Sequence, residues 1–186
     1  MKTYFSKFTE QNVKNITHLD GACREIFMEL ILRIAEEGIY IRIPDTGGKR
    51  TGEEQQTLYN KTPKVTHVLC PYSWHCHGLA IDVVPLHRLG PLYFTALFHR
   101  DNLYERIARI AKSLNIRWGF EEWGMDKGHF HYSGGKTIYQ LSKGKFPGKP
   151  TIQKHPYNKE TDRAIERMKF RGIILENYFP YLYGNS

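Results

Sequence analysis

Between residues 73 and 82 the chain reads Ser73-Trp74-His75-Cys76-His77-Gly78-Leu79-Ala80-Ile81-Asp82, which gathers two imidazoles and a carboxylate around a glycine turn and the start of an apolar run. If that run is a strand, Ala80 and Asp82 share one face and His75 folds back above them from the loop. A carboxylate set among Ala80, Ile81, Val83 and Val84 costs free energy to bury unless a cation pairs with it. Zinc would supply that charge. A catalytic zinc site takes three ligands from His and Asp/Glu and leaves its fourth position to water, so a further ligand must come from elsewhere in the chain. The best source is Asp126-Lys127-Gly128-His129-Phe130-His131, where strand alternation puts His129 and His131 on one face and Asp126 in the turn before them. On residue type alone either histidine completes the set. Cys76 is a soft ligand type, but the same alternation points it away from His75.

These side chains need elements to hold them. Over residues 20 to 37, Cys23, Ile26, Phe27, Leu30, Ile31 and Ile34 recur at spacings of three and four, with Asp20 as N-cap and Gly38 as stop, which predicts an amphipathic helix. Ile39, Ile41 and Ile43 alternate with Tyr40 and Arg42 and end at Pro44, the pattern of a half-buried strand. Asp45-Thr46-Gly47-Gly48 then forms a turn. Thr51-Gly52-Glu53-Glu54 has capping-box spacing and opens a short helix through Leu58 and Tyr59, which sets Arg50 at a strand-to-helix corner with a forked pair of donors to offer an oxyanion or a carboxylate. Residues 65 to 69 and 79 to 84 are strand-like, residues 101 to 114 form a second amphipathic helix, and residues 116 to 118 and 129 to 132 are short strands. The sum is an α+β domain with a small, mainly antiparallel sheet flanked by helices.

The pattern Ser-x-His-x-x-Gly-x-Ala-x-Asp from Ser73 to Asp82, followed by Asp-x-x-His at Asp126 and His129, resembles the LAS zinc metallopeptidases. That group holds D-alanyl-D-alanine carboxypeptidases, phage L-alanoyl-D-glutamate endolysins and the hedgehog signalling domain. Arg50-Thr51-x-Glu53-Glu54-Gln55-x-x-Leu58-Tyr59 looks like the upstream arginine motif of the carboxypeptidase and endolysin branch, and Val65-Thr66 and the Trp118-Gly119 corner fit in order. The resemblance spans about residues 15 to 148. It implies a hedgehog/D-Ala-D-Ala-peptidase-like fold and one catalytic Zn2+ on His75, Asp82 and His129. It further implies Asp126 as acid/base, Arg50 as transition-state stabiliser, and Ser73, Gln55, His131 and Trp123 as substrate-binding residues. Three features depart from the family pattern. Gly128 replaces a proline often found there, His131 stands where an acidic or amide residue is common, and Trp118-Gly119-Phe120-Glu121-Glu122-Trp123 is one residue longer than the familiar Trp-Gly-Gly-x-Trp.

The implied function is hydrolysis of peptide bonds in peptidoglycan stem peptides, at L-Ala-D-Glu in the endolysin manner or at D-Ala-D-Ala in the carboxypeptidase manner. A zinc-stabilised, non-catalytic wall-binding or virion module is the rival of another class, and Asp126 with Arg50 argues against it. A net charge of +8, from 27 basic and 19 acidic side chains, attracts polyanions. Regular Arg/Lys spacing with stacking aromatics does not surround the histidines, so nucleic acid is not the expected partner. Peptidoglycan is, with phage structural proteins as further partners of a monomer. The 186 residues suit one compact catalytic domain over 1–148 and an appendage over 149–186. The appendage begins in a Lys/Gly/Pro-rich linker (143 to 157) and continues as a short helix capped by Thr161 and stopped by Gly172, with an aromatic end. Residues 136 to 186 hold ten Lys/Arg against four Asp/Glu, a solvated tail or a wall-docking one. The N-terminus carries no continuous apolar stretch and no run reaches membrane-spanning length, so the expectation is synthesis in a cytoplasm and action on the wall after release or from a virion. Cys23, Cys70 and Cys76, odd in number, are expected to form no disulfide framework.

Overall fold

A computed structural model of the protein describes residues 4–88, 94–96 and 101–153; the helix expected to begin at Thr161 and the aromatic end lie outside them. The elements run α1 (Tyr4–Thr17), α2 (Arg24–Glu36), β1 (Tyr40–Arg42), α3 (Gly52–Asn60), β2 (Ala80–Asp82), β3 (Val84–Arg88), β4 (Phe94–Ala96), α4 (Asp101–Ser113), β5 (Arg117–Trp118), α5 (Gly119–Trp123), β6 (His129–His131) and α6 (Ile138–Ser142). The fold is α+β, as expected. Its strands divide into two antiparallel sheets, ordered β1-β3-β4 and β2-β6-β5. The run over residues 79 to 84, read as one strand, is two. It breaks at Val83, whose N–H donates to the Gly128 carbonyl at 2.8 Å, while the Asp82 N–H donates to the Gly47 carbonyl at 2.7 Å. The chain thus steps from one sheet to the other directly after the carboxylate.

Helix α2 is the spine of the core. Ile26, Phe27, Met28, Leu30, Ile31, Leu32 and Ile34 are all buried, a face wider than one stripe, because α1, β1 and α4 each pack against it. Its first turn is not capped by Asp20: the N-cap position is Cys23, and the Asp20 carboxylate accepts instead from the Ala22 N–H at 2.8 Å, shaping the turn before the helix. Helix α1 had no sequence signature, because two of its buried positions are polar. Asn12 donates to the Ile41 carbonyl at 3.1 Å and accepts from the Ile43 N–H at 2.8 Å, so its carboxamide mimics a paired strand along β1. Asn15 donates to the carbonyls of Ile43 and Pro44, each at 3.2 Å.

The segment from 65 to 69 is not a strand. Val65 and Val68 are exposed, none of the described strands pairs with the segment, and it is tied down by α3, chiefly through Gln55. The beginning of the expected linker lies along the domain. Tyr132 Oη donates to the Gly148 carbonyl at 3.1 Å, Arg33 donates to the Gln153 carbonyl at 3.2 Å, and Ile152 packs against the core. Among the described residues no helix is long and apolar enough to cross a membrane.

Replacing Asn12 with Ala strands a buried N–H and a buried carbonyl on β1. We predict a loss of about 1–3 kcal/mol of unfolding free energy in urea titration; an unchanged midpoint and slope would show that β1 does not depend on this side chain.

Candidate metal centre

The register of β2 with β6 sets Asp82 opposite His129 and Ala80 opposite His131, so the two histidines and the carboxylate rise from one face of the second sheet. Phe130 turns to the other face and is fully buried beside Trp118. His75 reaches the same point from the preceding loop, where Gly78 at φ +67 makes the turn; a side chain at Gly78 would sit 2.9 Å from the Asp20 nitrogen. His75 Nδ1 lies 2.8 Å from the Gly48 carbonyl. A carbonyl only accepts, so Nδ1 carries the proton and Nε2 presents a lone pair.

Three ligand-type atoms converge there. His75 Nε2 is 3.1 Å from Asp82 Oδ1 and 3.1 Å from His129 Nδ1, and His129 Nδ1 is 3.3 Å from Asp82 Oδ1. A tetrahedral zinc ion with bonds of about 2.0–2.1 Å holds its ligand atoms about 3.3 Å apart, so the donor set and its spacing fit such an ion. Among the described residues these three form the group able to hold a metal. Burial alone would raise the Asp82 carboxyl, but the charge and hydrogen bonds of His75 and His129 outweigh it and hold the group well below the ordinary carboxylate range. Burial pushes His75 the other way, down from its ordinary value, against the pull of Asp82. A charged carboxylate beside the lone pair of His75 Nε2 suits a cation.

Arg50 is buried directly behind Asp82. Its Nη2 donates to Asp82 Oδ2 in a charge-assisted bond, its Nε donates to the Thr46 carbonyl, and its Nη1 donates to Gln55 Oε1 at 3.3 Å. The expected capping box is present, with Thr51 and Glu54 bonded reciprocally, and it fixes the start of α3 next to Arg50. Gln55 is fully buried and its amide is committed internally, donating to the Val68 carbonyl at 2.8 Å and to Thr66 Oγ1 at 3.1 Å.

Asp126 sits in the left-handed region at φ +64, a conformation that Asp tolerates better than most residues. All three carbonyls of the turn accept a hydrogen bond: Asp126 from the His129 N–H at 3.2 Å, Lys127 from the Trp118 indole at 2.8 Å, and Gly128 from the Val83 N–H. Although the residue as a whole is exposed, desolvation of its carboxyl raises the Asp126 pKa, the charge of Asp82 raises it further, and His129, His75 and Arg50 oppose both.

His131 is not in the ligand triangle. It is fully buried between two indoles, stacked on Trp74 with centroids 4.2 Å apart and on Trp123 at 5.7 Å. Burial pushes its pKa down to about 2, so it is neutral, and its Nε2 lies 3.4 Å from Glu122. Trp123 is 44% exposed and also rests on His129, with centroids 5.1 Å apart. Ser73 is buried at the start of the His75 loop. His77 stands apart, 2.7 Å from the Pro71 carbonyl.

The cysteine expectation fails. Cys70 and Cys76 form a disulfide with Cα atoms 5.9 Å apart, while Cys23 is free and buried. An odd total says nothing about a pair six residues apart once a turn brings them together, and the spacing Cys-x5-Cys around the histidine motif was the available signal. The bridge also settles Cys76 as no ligand, on firmer ground than strand alternation.

Residues 70–132 match the D-alanyl-D-alanine carboxypeptidase family, a stretch that spans the bridge, all three ligand candidates and Asp126. Over those residues the chain resembles that peptidase family in sequence. The Serratia marcescens L-Ala D-Glu endopeptidase ChiX superposes with a TM-score of 0.50 at 20% identity, over 67% of this chain and 88% of that one, which speaks for the fold. A comparison with curated proteins finds no match.

Gly119 lets Trp123 close over the two histidines. A Cβ at residue 119 would come 2.9 Å from the Trp123 ring and 3.1 Å from His129 Cβ. Gly119→Ala should therefore displace the indole, cost about 1–3 kcal/mol of stability and shift tryptophan emission to longer wavelength; unchanged emission and stability would contradict this packing.

Proposed function

We propose that the chain is a zinc-dependent peptidase that cuts the stem peptides of peptidoglycan at the L-Ala-D-Glu bond. The observation that carries the reading is the triangle of His75 Nε2, Asp82 Oδ1 and His129 Nδ1 with edges of 3.1–3.3 Å. Its support is the ordered set of motifs, the family match over residues 70–132 and a fold shared with an endopeptidase.

When bound, zinc supplies Lewis acidity toward a peptide carbonyl and toward water. The chain supplies the rest. Asp126, its carboxyl raised from its ordinary value by desolvation and by the charge of Asp82, is suited to take a proton from water and deliver it to the leaving amine. Three of the five N–H groups of Arg50 go to Thr46, Gln55 and Asp82, so Arg50 fixes the orientation of the carboxylate ligand and keeps two donors for an oxygen of the substrate. Trp123 and the buried His131 form an apolar wall that limits water on one side of the centre. A D-Ala-D-Ala carboxypeptidase is the second reading, favoured by the description of the matched family. Peptidoglycan is the proposed partner, reached after release or from a phage particle.

Three outcomes test this. Purified peptidoglycan treated with the protein should release new amino termini on D-Glu by mass spectrometry, with loss of cleavage under chelator and recovery with zinc; free D-alanine instead would select the carboxypeptidase reading. Asp126→Asn should lower kcat by about 10²–10⁴ with zinc content kept at one per chain. Chelator-insensitive cleavage, or full activity in that variant, would contradict the assignment.

A further inference from the structure

We propose that the Cys70–Cys76 disulfide is a thiol-exchange site that governs how firmly the segment of residues 61–72 is held beside the metal centre, with low-molecular-weight thiols as the reactant class. The inference rests on the peptidase reading for its effect on turnover, and on geometry alone for its effect on the segment.

The bridge joins two stretches of unequal firmness. On the far side, residues 73–79 are anchored many times over: the Arg50 N–H donates to the His75 carbonyl at 3.1 Å, the Asp20 N–H to the Gly78 carbonyl at 2.9 Å, and the Leu79 N–H to the Trp74 carbonyl at 3.1 Å. His75 has its own bond to Gly48, and Trp74 stacks on His131. On the near side, residues 61–72 form no helix or strand and are mostly exposed, with Val65, Val68 and Tyr72 at 59%, 44% and 52%. Besides the bridge, the described contacts fastening that segment to the rest are the bonds from Gln55 to Thr66 and Val68, one from the Val65 N–H to the Leu58 carbonyl at 3.4 Å, the 2.7 Å contact of the only partly buried His77 with the Pro71 carbonyl, and Lys64 over the Tyr59 ring. The disulfide is thus a covalent tie between a weakly held segment and the loop that presents His75.

The segment lies where its position matters. Asp82, Arg50, Gln55 and Val68 form one chain of hydrogen bonds, so it stands two side chains from a metal ligand. The bridge is also reachable, because Cys70 and Cys76 help line an open groove of about 930 Å³ together with Pro71, His77, Lys49 and Arg50. Cys23 is buried and lies outside this exchange.

In the exchange, one thiol attacks a bridge sulfur to give a mixed disulfide and one free cysteine thiol. A second thiol then resolves it, so that two reductant thiols become one small disulfide and the protein gains two thiols. Reduction leaves the bonds that hold His75 intact and releases residues 61–72. The protein is then expected to keep its metal and lose grip on substrate in a thiol-rich compartment, and to regain that grip outside it.

The test compares oxidised full-length protein, the same protein after reduction and removal of reductant, and Cys70→Ser/Cys76→Ser. Native thiol counts should rise from none to two on reduction. Trypsin should cut after the exposed Lys61 and Lys64 at least about tenfold faster in the reduced protein and in the double variant. With peptidoglycan, KM should rise about tenfold while kcat stays within about twofold and zinc remains at one per chain. Equal nicking in the oxidised and reduced forms, or two free thiols in the oxidised protein, overturns the proposal. Inactivity of the oxidised protein on every peptidoglycan would sink the peptidase reading instead, and the nicking rates, which need neither metal nor substrate, would still decide this one.

Discussion

Two imidazole nitrogens and a carboxylate oxygen facing one another at 3.1–3.3 Å are the constraint on which the rest of this structure depends. At least one of these atoms is a bare lone pair, since the Gly48 carbonyl takes the proton of His75 on the opposite nitrogen. Acceptors do not crowd together in a buried place without a positive partner. Arg50 supplies part of that charge from behind, on the outer oxygen of Asp82, and so leaves the inner oxygen turned to the histidines.

Each layer around this point removes a freedom. The pairing of β2 with β6 fixes two of the atoms by register, and a slip of one residue would send Asp82 or His129 to the opposite face. The third comes from a loop, which is why that loop is tied by backbone bonds, by an indole stacked on His131 and by a disulfide. The turn bearing Asp126 is held through all three of its carbonyls, one of them by the Trp118 indole, so a residue in the left-handed region keeps a single direction. Precision at the centre thus comes from short elements, each over-determined by its neighbours rather than stable by itself.

Much of this was legible in the residue pattern. The α2 periodicity, the Thr51 capping box and the alternation around Asp82 and His129 all rest on local rules, and the structure follows them. Helix α1 escaped because Asn12 and Asn15 do work that apolar residues do elsewhere, bonding β1 through their side chains. The valines at 65 and 68 suggested a strand, but β propensity needs a partner edge and a face to bury, and the segment has neither. The stacking of Trp74 on His131 and the line from Asp82 through Arg50 and Gln55 to Val68 depended on tertiary contacts between separate segments. Spacing alone had no means to separate such residues from ones that meet a substrate.

The most direct measurement of the central claim is a zinc-edge X-ray absorption spectrum of the zinc-loaded protein. The account predicts one ion with nitrogen and oxygen neighbours at about 2.0–2.1 Å, an imidazole signature from two histidines, and no sulfur. A sulfur shell at about 2.3 Å, or a spectrum that Asp82→Ala leaves unchanged, would contradict it.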